Sequence, residues 1–204
     1  MTIKVRGAIL KEEVVGESDK RFTILTKNTG KIYVRARGAK RAKSKFIIAN
    51  QFAYLDLVLY KGKGFYSLTQ ASLIENFYNL RLDYEKLETA FFITKILNEN
   101  IVGEMEEGES EAFLFLFLNS LYFLNKNYLP SLVKSVFILK FLQLSGEEPT
   151  LTENSIITDQ IEIKLSKSIL IAINHILTLD VKSAFGFKIS DFELLENLCE
   201  SLIV

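Results

Sequence analysis

The spacing of apolar residues changes once along this chain of 204 residues, and the change limits the elements that it can form. From Ile3 to about Ser72, apolar and polar residues alternate, as in strands with one buried face. Beyond Asn76, apolar residues recur at every third or fourth position, as in helices. We therefore predict an α+β protein, with a β domain over residues 1–75 followed by an all-α domain over residues 76–204.

The β domain contains five short segments with strand character, separated by turns that contain Gly and Asn. The segments cover residues 3–10, 22–26, 31–37, 52–60 and 65–71. Gly30 lies in the short turn before the third segment, where glycine readily adopts the positive φ that such a turn requires. Five strands in about 70 residues favour a small closed barrel, and the OB-fold is the leading candidate.

The all-α domain begins with two predicted helices. Asp83 is the predicted N-cap of the first, which ends near residue 103. A loop over residues 103–109 follows, and Ser110 is predicted to cap a second helix that runs to about Asn127. Residues 113–118 of this helix are apolar on every side, which is typical of a helix at the buried centre of a bundle.

Three further helices are predicted. Pro130 suits the first turn of the third helix, which ends near residue 146. Residues 165–179 have the spacing of a fourth helix, and Ser190 with Glu193 matches a capping box for a fifth. The segment 146–160 carries polar turn-forming residues, so we predict a loop or a short irregular element there.

The chain carries 25 basic and 25 acidic residues, but the two signs are segregated. Residues 1–70 hold 15 Lys and Arg against 5 Asp and Glu, whereas residues 71–204 hold 10 against 20. The zero net charge therefore conceals a basic part with a surplus of ten and an acidic part with a deficit of ten. Clustered Lys and Arg attract phosphates and release counterions, so a polyanion is the expected partner of the basic part.

The third strand concentrates this charge on one face. If Ile32, Val34 and Ala36 point into the barrel, the alternation of a strand places the intervening side chains on the opposite face. Those side chains are three cations and one aromatic ring: Lys31, Tyr33, Arg35 and Arg37. Such a face suits a nucleic-acid backbone with a base stacked on the tyrosine.

Two further clusters extend this predicted nucleic-acid-binding surface. In residues 38–45, predicted as a mobile loop, four of eight residues are cations: Lys40, Arg41, Lys43 and Lys45. Lys61 and Lys63 lie at a hairpin tip, with Tyr66 as a further stacking candidate. A solvated strand surface is the alternative, but a purely solubilising surface normally interleaves both signs.

Several classes of function find little support. Five glutamates between residues 104 and 111 lack the ligand spacing of a metal site and are predicted to form a solvated acidic loop. The single histidine, His175, is predicted at the core or its boundary, and the single cysteine, Cys199, can form neither an internal disulfide nor a cysteine-rich zinc site. We therefore expect no enzyme, metal or cofactor.

The longest apolar run, residues 112–118, has seven residues, whereas a membrane span needs roughly 20. The N-terminal residues lack the pattern of a secretory signal. We therefore predict a cytoplasmic protein that does not contact membranes.

The same residues resemble a known family. The match is carried by Gly7 with Leu10, residues 17–19, Leu25–Thr26 with Gly30, residues 38–46, Gln51–Phe52 and residues 66–70. These residues resemble the N-terminal module of the RecO family of bacterial recombination mediators, and the basic loop is the most specific piece.

That resemblance implies an OB-fold followed by a helical domain, with no catalytic turnover. It also implies binding to single- and double-stranded DNA, strand annealing, and work with RecR and single-stranded-DNA-binding protein to load RecA. Members of the family usually carry four cysteines that form a zinc site, at about residues 146–160 of this chain. This chain lacks those cysteines.

Two other functions compete with DNA binding. The chain could be a protein-interaction adaptor whose helical domain holds the tail of a partner. An acidic tail, such as that of the single-stranded-DNA-binding protein, would need lysines there, and Lys126, Lys134 and Lys140 are the predicted partner-binding residues. A nuclease that uses the 104–111 carboxylates is the third alternative.

Overall fold

The computed structural model of the chain describes residues 1–158, 162–186 and 192–203. The chain divides into two units. The barrel unit comprises residues 1–79 and 91–118, and the helical unit comprises residues 80–90 and 119–204. Residues 91–118, which lie in the predicted all-α domain, therefore belong with the barrel. No helix in the described ranges is long and apolar enough to cross a bilayer.

The barrel is built from five strands, as predicted. The strands are β1 (Thr2–Val15), β2 (Asp19–Thr26), β3 (Gly30–Ala36), β4 (Tyr54–Lys61) and β5 (Tyr66–Glu75). They close in the order β1-β2-β3-β5-β4, with β3 and β5 parallel and every other pair antiparallel. The barrel interior is filled by side chains from all five strands, including Ile9, Phe22, Val34, Leu57 and Leu68.

Strand β1 closes the barrel because it bends and pairs on both sides. Residues 2–8 pair with β4, and residues 7–15 pair with β2. A Cβ atom on Gly7 would lie 2.7 Å from the carbonyl oxygen of Leu25, so only glycine allows this approach of the two strands. The register shifts between Ile9 and Lys11, and such an irregularity increases the local bend.

The chain enters β4 through a strained residue. Phe52 has a φ of 72°, which bulky side chains rarely adopt, and it is fully buried against Phe91 with ring centroids 5.2 Å apart. Its N–H donates to the carbonyl of Ile9 at 2.9 Å. The prediction that the strand begins at residue 52 is therefore wrong by two residues, because a positive φ interrupts extended backbone.

A short 3-10 helix (Tyr78–Leu82) follows the barrel and leads to α1 (Tyr84–Asn100) and α2 (Glu107–Asn125). The cap of α1 is confirmed, since Asp83 Oδ1 accepts from the backbone N–H of Lys86 at 3.2 Å. The predicted cap of α2 is wrong. Ser110 lies buried inside α2, where it donates to the carbonyl of Thr26 at 2.6 Å and accepts from the N–H of Gly30 at 2.8 Å.

The remaining helices are α3 (Pro130–Leu144), α4 (Lys167–Thr178), α5 (Val181–Phe185) and α6 (Phe192–Ser201). The predicted limits of α3 are confirmed, and Gly146 follows it with a φ of 78°. Helix α3 is more completely buried than α2, since residues 135–142 are all buried whereas Phe115 of α2 is half exposed. The short helix α5 is not predicted, and Ser190 and Glu193 lie outside the residues whose side chains are described.

Residues 150–157 and 162–164 form a small antiparallel sheet, where a loop or a short irregular element was predicted. Its strands are β6 (Thr150–Leu151), β7 (Ser155–Ile157) and β8 (Glu162–Lys164). The hydroxyls of Thr152 and Ser155 lie 2.6 Å apart, and Ser155 donates to a carboxylate oxygen of Glu162 at 2.9 Å. Ile156 is fully buried, so the sheet has an apolar contact as well as polar ones.

Candidate nucleic-acid interface

Strand β3 presents the predicted face, but only part of it reaches solvent. Tyr33 is 56% exposed, and Arg35 and Arg37 are also exposed. Lys31 is buried, and its ammonium donates to the carbonyl of Asn98 near the end of α1. Burial lowers the pKa of Lys31. The prediction that Lys31 belongs to the exposed row is therefore wrong, because chain from outside the barrel covers this end of the strand.

Arg35 is exposed but paired. Its guanidinium lies 2.8 Å from Asp19, whose carboxylate also accepts from the backbone N–H of Gly38 at 2.9 Å. The hydrogen bond from Gly38 and the pairing with Arg35 lower the pKa of Asp19. On the next strand, Arg21 pairs with Glu13 at 2.8 Å. This part of the face is therefore charge-balanced, and Arg35 helps Asp19 to hold the start of the basic loop.

The basic loop, residues 38–45, is anchored at both ends. Ala39 and Phe46 are buried in the barrel core, and the N–H of Lys40 donates to the carbonyl of Ser18 at 3.0 Å. A series of turns connects these anchors, so the segment is a loop, as predicted. Lys45 already has one hydrogen-bond acceptor within the barrel, since its ammonium donates to the carbonyl of Thr69 at 2.9 Å.

Four cations on or beside this loop remain available to a ligand. Their side chains are exposed, and they form no ion pair with the barrel unit, all of which is described. They are Arg37, Lys40, Arg41 and Lys43. A phosphate chain would therefore meet positive charge here that no carboxylate of the barrel neutralises.

The hairpin between β4 and β5 is confirmed as a tight turn. The N–H of Gly62 donates to the carbonyl of Phe65 at 3.0 Å, and Lys61 and Lys63 are exposed. Tyr66 is less suited to stacking than predicted, because its ring packs against the barrel core and the Lys61 ammonium lies 5.5 Å from its centroid. Its hydrogen bond with Tyr66 raises the pKa of Lys61.

Two aromatic residues of this hairpin are more exposed than Tyr66 and are missed by the sequence reasoning. They are Tyr60 and Phe65, which are 47% and 50% exposed. Tyr60 lies within an alternating segment and reads as an ordinary strand residue. The signal that could have found them is their position beside the lysines of a short turn that contains two glycines.

The barrel topology places both basic clusters beside β3. The parallel register pairs Val34 with Tyr66, so the hairpin tip that precedes Tyr66 lies level with the residues before Val34. The basic loop leaves from the end of the same strand, after Ala36. Tyr33 and Arg35, on either side of Val34, are both exposed.

The three predicted partner-binding lysines of the helical unit have different environments. Lys126 is exposed, with its ammonium 5.7 Å from the ring centroid of Tyr122. Lys134 lies 2.6 Å from Glu196 and 2.8 Å from Glu200. Burial disfavours its charged form, but its hydrogen bonds with these two carboxylates outweigh that effect and raise the pKa of Lys134.

Lys140 is buried and acts as a structural donor. Its ammonium donates to the carbonyls of Leu177 and Leu179 at 2.9 and 2.6 Å, and to Gln143 at 2.8 Å. These carbonyls lie at the end of α4, where a cation is favourable. Lys134 and Lys140 therefore do not fit the predicted role in binding a partner, because internal groups already occupy their ammonium groups.

The acidic segment is also more structured than predicted. Glu107 and Glu109 lie in the first turn of α2, where carboxylates are favourable. Glu111 pairs with Lys27 at 2.9 Å, and Glu107 accepts a hydrogen bond from the side-chain amide of Asn28. These carboxylates therefore contact the turn between β2 and β3, and the solvated loop is limited to the residues before Glu107. The prediction that His175 lies at the core or its boundary is wrong, since His175 is exposed in the last turn of α4.

Comparison with known proteins decides the family. The family model described as "Recombination protein O N terminal" matches residues 1–77, which end two residues after β5. A DNA repair protein RecO from Acetivibrio thermocellus is 31% identical over 215 residues, which cover 93% of this chain and 84% of that relative. The chain belongs to the RecO family. The predicted resemblance and the OB-fold of the barrel are thereby confirmed, and the RecO homologues support a role in DNA repair and recombination.

Other RecO family members extend further than this chain. The DNA repair proteins RecO of Alkaliphilus metalliredigens and Clostridium acetobutylicum are 36% and 34% identical to it. The matches cover 74% and 70% of this chain, but only 61% and 58% of those relatives. The chain thus spans about six-tenths of the length of these two proteins.

The residues of this RecO family member do not fit the zinc site that the resemblance implies. Its single cysteine, Cys199, is fully buried, and burial raises its pKa to about 12. In the region where the family's zinc site is expected, hydrogen bonds among Thr152, Ser155 and Glu162 join the strands of the small sheet instead. Among the described residues, no group of three or more His, Cys, Asp or Glu could hold a metal ion.

Proposed function

We propose that this chain binds DNA through its barrel and acts as a recombination mediator. The observation that carries the proposal is the set of exposed cations that no carboxylate of the barrel neutralises, together with exposed Tyr33 on the strand that leads into the basic loop. The cations supply contacts to phosphates, and the ring of Tyr33 supplies a stacking surface for a base. Phosphate contacts carry no base identity, so we expect binding to be independent of sequence.

The ion pairs within the barrel indicate which cations contact the phosphates of DNA. Arg37, Lys40, Arg41, Lys43 and Lys63 are the expected phosphate contacts. Arg35 contributes less, because binding a phosphate would require it to leave Asp19, and Lys31 contributes nothing. Lys45, held by Thr69, lies at the edge of this surface.

The family resemblance supports the wider role. We propose RecR and the single-stranded-DNA-binding protein as direct partners, RecA as an indirect one, and strand annealing without catalytic turnover in the cytoplasm. The adaptor alternative keeps only Lys126 as a candidate contact for an acidic tail, since Lys134 and Lys140 have internal partners.

A salt titration tests the proposal. Engaging about five phosphates of a single strand predicts a slope of log affinity against log salt of roughly −3 to −4. Fluorescently labelled single-stranded and duplex oligonucleotides, titrated against the full chain at several salt concentrations, give this slope directly. A flat response would remove the basis of the proposal.

A further inference from the structure

The β4–β5 hairpin carries two neighbouring aromatic rings that its own fold leaves half uncovered. Tyr60 and Phe65 are 47% and 50% exposed, and their ring centroids lie 6.5 Å apart with an interplanar angle of 49°. Tyr60 projects from the outer face of β4, because its neighbour Leu59 is fully buried in the barrel. The two rings thus form an apolar surface at the end of the hairpin.

The turn itself holds Phe65 in this position. The N–H of Gly62 donates to the carbonyl of Phe65, and a Cβ atom on Gly62 would lie 2.5 Å from the Phe65 ring. The absence of a side chain at residue 62 therefore lets the ring lie over the turn. The position of the ring is set locally, by residues of the hairpin alone.

Cations surround the aromatic pair. Lys61 and Lys63 belong to the hairpin, and Lys4 lies on the neighbouring strand, where it pairs with Val58, two residues before Tyr60. Lys4 and Lys63 are exposed and form no ion pair with the barrel unit. Glu104 is the carboxylate that acts electrostatically on Lys61, so the positive charges outnumber the negative one.

We infer that Tyr60 and Phe65 form a base-stacking subsite for unpaired nucleotides. The inference rests on the proposed DNA binding and adds a preference to it. In a duplex the base faces are covered by their stacked neighbours, whereas in a single strand a face is free to lie on an aromatic ring. The flanking lysines attract both single-stranded and duplex DNA, but stacking on the two rings adds affinity only for the single strand.

The test uses the full chain with Tyr60 and Phe65 both changed to Ala. Three probes of about 16 nucleotides, which is within the site size of an OB-fold, are compared by fluorescence anisotropy: oligothymidine, an abasic strand of equal length, and a duplex. We expect affinity for oligothymidine to fall at least about tenfold, since each stacked base contributes roughly 5- to 150-fold. Affinity for the abasic strand and the duplex should change less than about twofold, and the salt slope should not change.

Tyr122→Ala is the matched control. Tyr122 is 47% exposed, as Tyr60 is, but it lies in the helical unit. It should leave the affinity for all three probes unchanged. If the double variant fails to fold, Phe65→Leu keeps an apolar side chain over the turn without an aromatic face, and Phe65→Tyr restores that face. The first should lower the preference for oligothymidine over the abasic strand, and the second should retain it.

The outcomes separate this inference from the proposed function. If the unaltered chain binds oligothymidine and the abasic strand equally, or if the double variant loses both equally, the stacking subsite is refuted while DNA binding stands. If the unaltered chain binds none of the three probes, both proposals fail.

Discussion

Neutralising three cations of the basic loop should change the salt dependence of DNA binding by a predictable amount. The side chains of Lys40, Arg41 and Lys43 are exposed and form no ion pair with the barrel unit. Changing all three to Gln removes three of about five phosphate contacts. Each contact to a single strand contributes about 0.7 to the slope, so the slope should change from about −3.5 to about −1.4.

The change is large enough to measure by fluorescence anisotropy. Between 50 and 200 mM salt, the intact chain should lose about 130-fold in affinity for a single strand, and the triple variant only about 7-fold. The variant should be weaker at both concentrations and for all sequences alike, because the lost contacts are to phosphates.

A second triple variant supplies the control. Lys164, Lys167 and Lys182 are exposed lysines of the helical unit, and changing them to Gln alters the net charge by the same amount. If both variants shift the slope equally, net charge rather than the basic loop governs binding, and the reasoning is refuted. A shift of less than about one unit in the loop variant would refute it as well. Lys31→Met offers a further contrast, since a buried ammonium releases no counterion and the slope should stay as it is.

Three further changes test contacts within the helical unit and within the barrel unit. Lys140→Met removes the donor at the end of α4, so thermal or urea unfolding should show a loss of about 1–3 kcal/mol, whereas Lys126→Met should cost less than about 0.5 kcal/mol. Gly30→Ala should cost more than about 2 kcal/mol, because φ is 80° and the added Cβ would lie 2.6 Å from the carbonyl oxygen of Gly103. Gly64→Ala, with a φ of 75° in open space, should cost only about 1 kcal/mol, and equal losses would contradict the steric argument. Asp19→Asn should lower the free energy of unfolding at pH 7. Because the pKa of Asp19 is lower in the folded than in the unfolded chain, the difference between the two proteins should shrink as the pH falls below about 4. A difference that persists at lower pH would contradict this electrostatic account.

Alternation along the chain predicts the barrel well because it is a local property. A residue that faces the core is followed by one that faces outward, and the burial of β3 and β4 shows this alternation most clearly. The cap at Asp83 and the start of α3 at Pro130 are predicted for a similar reason, since capping and proline geometry act within one turn of helix.

Exposure of an outward-facing side chain is not a local property. Lys31 and Arg37 both occupy outward-facing positions in the alternating pattern of the third strand. Lys31 is nevertheless buried, because residues of α1 cover that end of β3. Ser110 has the composition of a cap, yet it lies inside α2, where it satisfies backbone groups some 80 residues earlier in the chain. Lys140 looks like a surface cation among apolar residues, yet its position at the end of α4 makes it an internal donor.

Residue types and short spacings predict the five barrel strands, the longer helices, the charge segregation and the family resemblance, but not α5 or the sheet β6–β8. Which cations stay exposed depends instead on segments that are distant in sequence but adjacent in space, so it becomes visible only in the folded chain. In the folded chain, the ammonium groups of Lys31, Lys134 and Lys140 bind acceptors of the same chain, and Arg35 pairs with Asp19. The cations of the basic loop and the rings of Tyr60 and Phe65 stay exposed, so DNA can reach them.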